Sequence, residues 1–292
     1  MGTASVAEPA SRLQVPASME QVSKLTRYQL REYLRSRRFV ALAIIVLAIG
    51  AILTAVVAHF RSALVTNNLA FYGSFWGSGV DIVIVLAAVF FGGDAIAGEF
   101  QNKTGYFLMG LPIRRATVYV GKFIAAFLAS AAMMLLFLLI LIANGAYYFG
   151  SGLLPWQLAL SLVLAIVYLS AVLGATFMFS SLFKTSAYGF VLTAILFLFG
   201  FTLLQDLVTG LVKIEPWMII SYAESTIGEV FGSSVSWGLQ GTVTHSTVMM
   251  GRFSVMTTTY TAGVAEGLVI MIAYLAITAA AGLWLFEHEE FS

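Results

Sequence analysis

Residues 39–59 read FVALAIIVLAIGAILTAVVAH, a run with no acidic or basic side chain ahead of its closing histidine. About 20 residues of helix cross the apolar core of a bilayer, so the run is long enough to span one. In lipid each backbone N–H and C=O must find its partner within the segment, which for an isolated apolar run means α-helix. Five further stretches have the same character, at 79–98, 118–143, 155–183, 187–208 and 263–286. Six spans follow, the fourth longer than a crossing needs and free to tilt or break at Gly174.

Composition agrees. Of 292 residues 60% are hydrophobic and 10% charged, with a mean hydropathy of +0.93. A water-soluble domain carries roughly 25% charged residues, so this chain lacks the polar surface for water. The fold class expected is an all-α polytopic membrane protein. Residues 1–18 are polar and hold Pro9 and Pro16, which reads as a disordered cytoplasmic tail, with no signal peptide ahead of the first span.

Basic residues set the expected orientation. Arg12, Lys24, Arg27, Arg31, Arg35, Arg37 and Arg38 precede the first span; Lys103, Arg114, Arg115 and Lys122 follow the second, and Lys184 the fourth. These are 12 of the 15 Lys and Arg, against Arg61, Lys213 and Arg252 on the other side. Both termini are therefore expected in the cytoplasm, with the chain multi-pass in the cell membrane.

Several function classes are disfavoured. There is no cysteine, and the histidines at 59, 245 and 288 fall at separate loop or span-end positions, so no metal site is expected. Neither a phosphate loop nor an H-E-x-x-H or G-x-S-x-G motif is present, so no catalytic residues are assigned. The span centres carry no Asp, Glu, Lys or Arg, which argues against a self-powered proton or ion carrier. No nucleic acid is expected among the partners.

Two segments carry more specific information. In residues 19–38, Val22, Leu25, Tyr28, Leu30, Tyr33 and Leu34 can gather on one helical face, with Lys24, Arg27, Arg31, Arg35 and Arg38 on the others. Such a basic amphipathic helix can lie along the inner leaflet, its apolar side in the acyl boundary and its cations among anionic headgroups. A simple positive-inside anchor has the same pattern. Residues 92–122 read GGDAIAGEFQNKTGYFLMGLPIRRATVYVGK. Here Asp94 and Glu99 close the second span, and Thr104 to Leu111 is apolar enough to be helical. Pro112 stops that stretch before Arg114 and Arg115. A short loop presenting Tyr106, Phe107, Leu108, Met109 and Leu111 to the cytoplasm is a docking surface by composition.

At Asp94, Glu99, Lys103-Thr104-Gly105, Leu111-Pro112, Arg114-Arg115 and Gly121-Lys122 the chain resembles ABC-2 type transporter permeases, with Arg114 where serine is frequent. The resemblance implies a transmembrane permease subunit of an ATP-driven exporter, working by alternating access and not itself an enzyme. Residues 19–38 would be its connecting helix, 39–292 the transmembrane domain and 99–117 the coupling segment. Within the last, the short helix Thr104–Gly110 would dock on a cytoplasmic ATPase, with Glu99, Thr104, Gly105, Tyr106, Phe107, Leu108, Leu111, Pro112, Arg114 and Arg115 as coupling residues. Glu99 would pair with a basic residue, and Arg114 and Arg115 would clamp the ATPase or inner-leaflet phosphates. ATP and Mg would sit on that partner, present in two copies, beside a second permease copy or a paralogue. A stand-alone channel or secondary transporter is the alternative.

The extracytoplasmic segment 209–262 is too long for an idle loop, and short helices or a small cap are expected there. Phe75, Trp76, Phe177 and Met178 are candidates for the substrate pathway, which would be largely apolar.

Overall fold

The computed structural model describes residues 18–101, 113–150, 154–183, 185–232, 235–250 and 253–288. Six helices in it are long and apolar enough to cross a membrane: Arg37–His59, Asn68–Glu99, Arg115–Phe149, Trp156–Leu182, Ser186–Val212 and Val264–His288. They are the six spans read from the sequence, with different ends. The second starts earlier, at Asn68, where Asn67 caps the helix by accepting the Ala70 N–H at 2.7 Å. Its first part, NLAFYGSFWG, is interrupted by glycine and serine, and that hid the span from an apolar-run reading. The third runs on to Phe149 because Asn144 is satisfied inside the bundle, donating to Thr54 Oγ1 at 3.0 Å and Ile140 O at 2.9 Å. Gly150 ends it at φ +85°, a conformation that suits a residue without a Cβ.

The helix α1 (Ser18–Arg35) precedes the first span and turns into it at Ser36, whose Oγ accepts the Phe39 N–H at 3.2 Å. Part of its apolar face packs on the third span. The Leu25 side chain lies against Gly121 of the third span so closely that a Cβ there would come within 2.8 Å. Thr26 Oγ1 donates to Gly121 O at 3.1 Å, and the Tyr33 ring packs tilted against Phe91 with centroids 5.3 Å apart. Leu25, Leu30 and Tyr33 thus pack on protein, while Tyr28 and Leu34 are exposed beside the cations. The bundle offers a glycine-lined notch, and the narrow face that fits it is the one that docks.

Two ends of the bundle follow. At the α1 end, Arg115 reaches the last turn of the sixth span and Gln101 accepts the Ser186 N–H that opens the fifth. At the opposite end lie the two short helices Ile220–Glu224 and Thr226–Glu229, the second held by Ser161 Oγ donating to Ile227 O at 2.5 Å. Strands β1 (Thr242–Met250) and β2 (Phe253–Thr261) follow as an antiparallel pair, from Thr242 opposite Thr261 to Met250 opposite Phe253. The expected cap therefore includes a hairpin as well as short helices. Its residues are rich in threonine and valine, whose branched Cβ suits extended backbone. Tyr260 OH ties its base to Lys213 O at 2.7 Å.

The core lies among spans two, three and four. Phe75 and Trp76 stack on Phe137 with centroids 5.9 and 5.8 Å apart, and Phe71 meets Tyr148 and Phe149. The fifth span departs from α geometry at two π-helical turns, Leu196–Gly200 and Val208–Val212.

Candidate functional site

The second span breaks close to the α1 end. Its helix Val80–Gly92 stops, residues 93–96 form turns, and a short helix Ala97–Gln101 resumes. The sequence there is Gly92-Gly93-Asp94, and the glycines are required by space. A Cβ on Gly92 would lie 2.9 Å from Thr176 Cγ2, and one on Gly93 would lie 3.2 Å from Phe190 Cα. A Cβ on Gly189 of the fifth span would lie 2.9 Å from the Gly93 carbonyl oxygen. Backbones of three spans thus meet at the point where one of them opens.

A broken helix away from water leaves backbone groups without partners, at a cost of about 1–3 kcal/mol each. Side chains from other elements supply the partners. Tyr33 OH of α1 donates to Phe91 O at 2.9 Å. Ser180 Oγ of the fourth span accepts from Ile96 N at 3.1 Å and Ala97 N at 3.0 Å. Lys122 Nζ of the third span donates to Ala95 O at 2.7 Å and to the Glu99 carboxylate. Arg38 of the first span pairs with Asp94, and Gln101 Oε1 receives the Ser186 N–H at 3.0 Å. Elements from five places in the chain are bonded to one short stretch of the second span.

The electrostatics fit that role. Lys122 is 4% exposed, and a buried ammonium is tolerable only when paired and hydrogen-bonded. The Tyr33 phenol is pushed well above its usual range, first by burial and then by the carboxylates of Asp94 and Glu32, so it remains a donor.

The expected coupling residues divide sharply. Glu99 is paired with a basic residue as the resemblance implied, and the partner is Lys122. Arg115 donates to Glu287 O at 2.8 Å, its cation against the carbonyl end of the sixth span, where helix dipoles favour positive charge. Arg114 is exposed. Thr104, Gly105, Tyr106, Phe107, Leu108, Leu111 and Pro112, and with them the coupling helix, lie outside the described residues. Of the interface cations, Arg27, Arg31 and Arg35 are exposed on α1, whereas Arg38 is engaged by Asp94. Lys24, Arg27, Tyr28 and Arg31 line a hollow of about 380 Å³.

The candidate pathway residues do not come together. Phe75 and Trp76 belong to the aromatic cluster on Phe137, and Phe177 to another with Tyr119 and Phe123, at 5.5 and 5.3 Å. All three are enclosed within the chain, and Met178 is half-buried. Sequence reasoning missed Tyr33, Ser180 and Lys122 as site residues. The double glycine before Asp94 was the available signal for a break, but nothing in spacing pointed to a serine 84 residues away from Ile96 as its acceptor.

A family model described as ABC-2 family transporter protein matches residues 32–200. A comparison with curated proteins gives no match. The matched region covers more than half of the chain and contains α1's last turn, the first four spans, the break and all the side chains that cap it. The chain therefore belongs to the ABC-2 transporter family, as one of its membrane-spanning permeases.

Proposed function

We propose that this permease is the transmembrane subunit of an ATP-driven exporter, in which a separate cytoplasmic ATPase supplies the energy and the pathway opens by alternating access. The α1 end is then cytoplasmic, as its excess of Lys and Arg supports. Residues 99–117 are the coupling segment, with the helix Thr104–Gly110 docking on the ATPase, Tyr106, Phe107, Leu108 and Leu111 as the apolar contact and Arg114 and the α1 cations flanking it. ATP and Mg bind the partner, and two copies of this chain, or this chain and a paralogue, pair with two ATPase subunits in the cell membrane.

The observation that carries the reading is the break at residues 93–96. The coupling segment begins three residues after it in sequence, at Glu99, and the break is bonded to α1 and to spans one, three, four and five. A push transmitted along the chain to the break would on this reading reach α1 and spans one, three, four and five through those bonds. For transport, ATP must favour one state of the bundle over the other; carrying the population from 1:99 to 99:1 takes roughly 5.5 kcal/mol of differential binding.

The test is capture of the full chain from its native membrane in mild detergent, with mass spectrometry of what accompanies it. An ATPase bearing a phosphate loop is expected in equal amount, and Leu111→Asp is expected to lose it while remaining inserted. A stable oligomer of this chain alone that still moves solute would replace the reading with a stand-alone channel or secondary transporter.

A further inference from the structure

The sixth span carries a groove that neither its packing nor the transport reading uses. It is a hollow of about 430 Å³ along the exposed side of that helix, walled by Val269, Ala273, Tyr274 and Ile277 and by Trp217 and Met218 of the preceding turn. Small-molecule sites usually run roughly 300–1,000 Å³. Among the described residues no charged side chain lines it, and its two hydroxyls are engaged. Tyr274 OH donates to Met218 O at 2.5 Å, and Thr278 Oγ1 to Tyr274 O at 2.7 Å. An occupant here is offered apolar contact and is asked for no hydrogen bond.

The depth of the groove narrows the choice. At 1.5 Å per residue, positions 269–278 lie about 8–21 Å from the start of the span at Val264. The acyl region of one leaflet is about 15 Å deep, half of a core of about 30 Å, so a groove over this range begins in that region and reaches past the midplane. The groove opens onto the surface formed by Val269, Ile272 and Ile277, all exposed on a helix that crosses the membrane, so it is continuous with the lipid-facing side. Trp217, more than half exposed at its mouth, is the residue type that sits at headgroup level.

We propose that this groove holds one acyl chain of a membrane phospholipid from the leaflet on the hairpin side. Recognition is by the chain and not by the headgroup, because the wall has shape and apolar surface but no charge. The bound lipid would fill the gap between the sixth span and the Trp217–Met218 turn, and hold the short helices at that end against the bundle.

The test uses the full chain, delipidated in mild detergent and titrated with dioleoyl phosphatidylglycerol or dioleoyl phosphatidylcholine, with bound lipid counted by native mass spectrometry. For the unaltered chain, the first lipid is expected to bind about tenfold more tightly than the next, and equally for both headgroups. Ala273→Trp, and independently Val269→Trp, fill the groove from exposed positions and are expected to remove that first step without lowering the melting temperature. Survival of the step in both variants, or its restriction to one headgroup, would overturn the assignment. A change of oligomeric state in either variant would also overturn it, by giving the groove to a second copy of the chain.

Discussion

Spans two, three and four differ from spans one, five and six in how they spend their surface. In the most apolar window of each, 72%, 50% and 61% of residues are buried in the first group, against 22%, 17% and 17% in the second. The hydropathies of the two groups overlap, from 2.2 to 2.7 in one and 2.2 to 3.0 in the other. Apolar content therefore does not separate them. What does is the placement of small and polar residues: Gly92, Ser180 and Lys122 lie where backbones approach or open, and Ser161 reaches a carbonyl of the short helices. In a membrane, close packing and interhelical hydrogen bonds hold helices together, because lipid tails satisfy apolar side chains equally well. The inner group is a fastened body, and the outer group presents apolar faces to whatever surrounds it.

The largest test of that contrast is Lys122→Met. It removes the Lys122 ammonium from the Glu99 carboxylate and the Ala95 carbonyl, and breaking a buried ion pair costs about 3–5 kcal/mol. The melting temperature in detergent should fall steeply, and adding Glu99→Gln should recover part of the loss. Equal loss in single and double variants would mean that Lys122 acts through packing alone.

Ser180→Ala removes one acceptor shared by two backbone N–H groups and should cost about 1–3 kcal/mol, read as a smaller fall in melting temperature. Hydrogen exchange should rise at Ile96 and Ala97 and not at the hairpin end. If protection is lost evenly along the second span, the serine is not a cap of the break.

The hairpin end adds a pH-dependent term. Glu224 has its carboxyl pushed up from 4.5 to about 8, by burial first and then by Asp81. A raised folded-state value favours the protonated form, so its contribution is complete below about pH 4.5 and is lost as pH rises through 8. Glu224→Gln should match the unaltered chain in acid and melt a few degrees higher at about pH 9. A gain that is constant with pH would assign the effect to something other than ionisation.

The smallest effect belongs to the outer group. Leu203→Ala, on the exposed side of the fifth span, should change monomer stability by no more than about 0.5 kcal/mol in detergent, whereas Ile84→Ala in the buried second span should cost about 2–5 kcal/mol. Comparable losses at the two positions would erase the contrast.

Much of this was legible before any coordinates. The six spans follow from apolar runs, and Glu99 with a basic partner was implied by the family resemblance. The missed start of the second span has a local cause, since FYGSFWGSG looks like a loop when it is read only for unbroken hydrophobicity. For α1, periodicity describes an apolar face but not how much of that face the protein itself covers. Tyr28 and Leu34 were grouped with Leu25 by periodicity, yet only the Leu25 side meets the Gly121 notch. The hairpin is a third case, where threonine-rich sequence at a membrane surface reads equally well as loop.

By itself the sequence determined that this chain crosses a membrane six times as helices, because backbone groups in lipid must be satisfied within each segment. It also carried the mark of its family in residues that lie close together along the chain. Only the tertiary structure decided where the second span breaks and which side chains make the break tolerable. Those partners, Tyr33, Lys122 and Ser180, come from three other elements, and the pairing of a backbone group with a distant side chain has no periodicity along the chain from which it could be read.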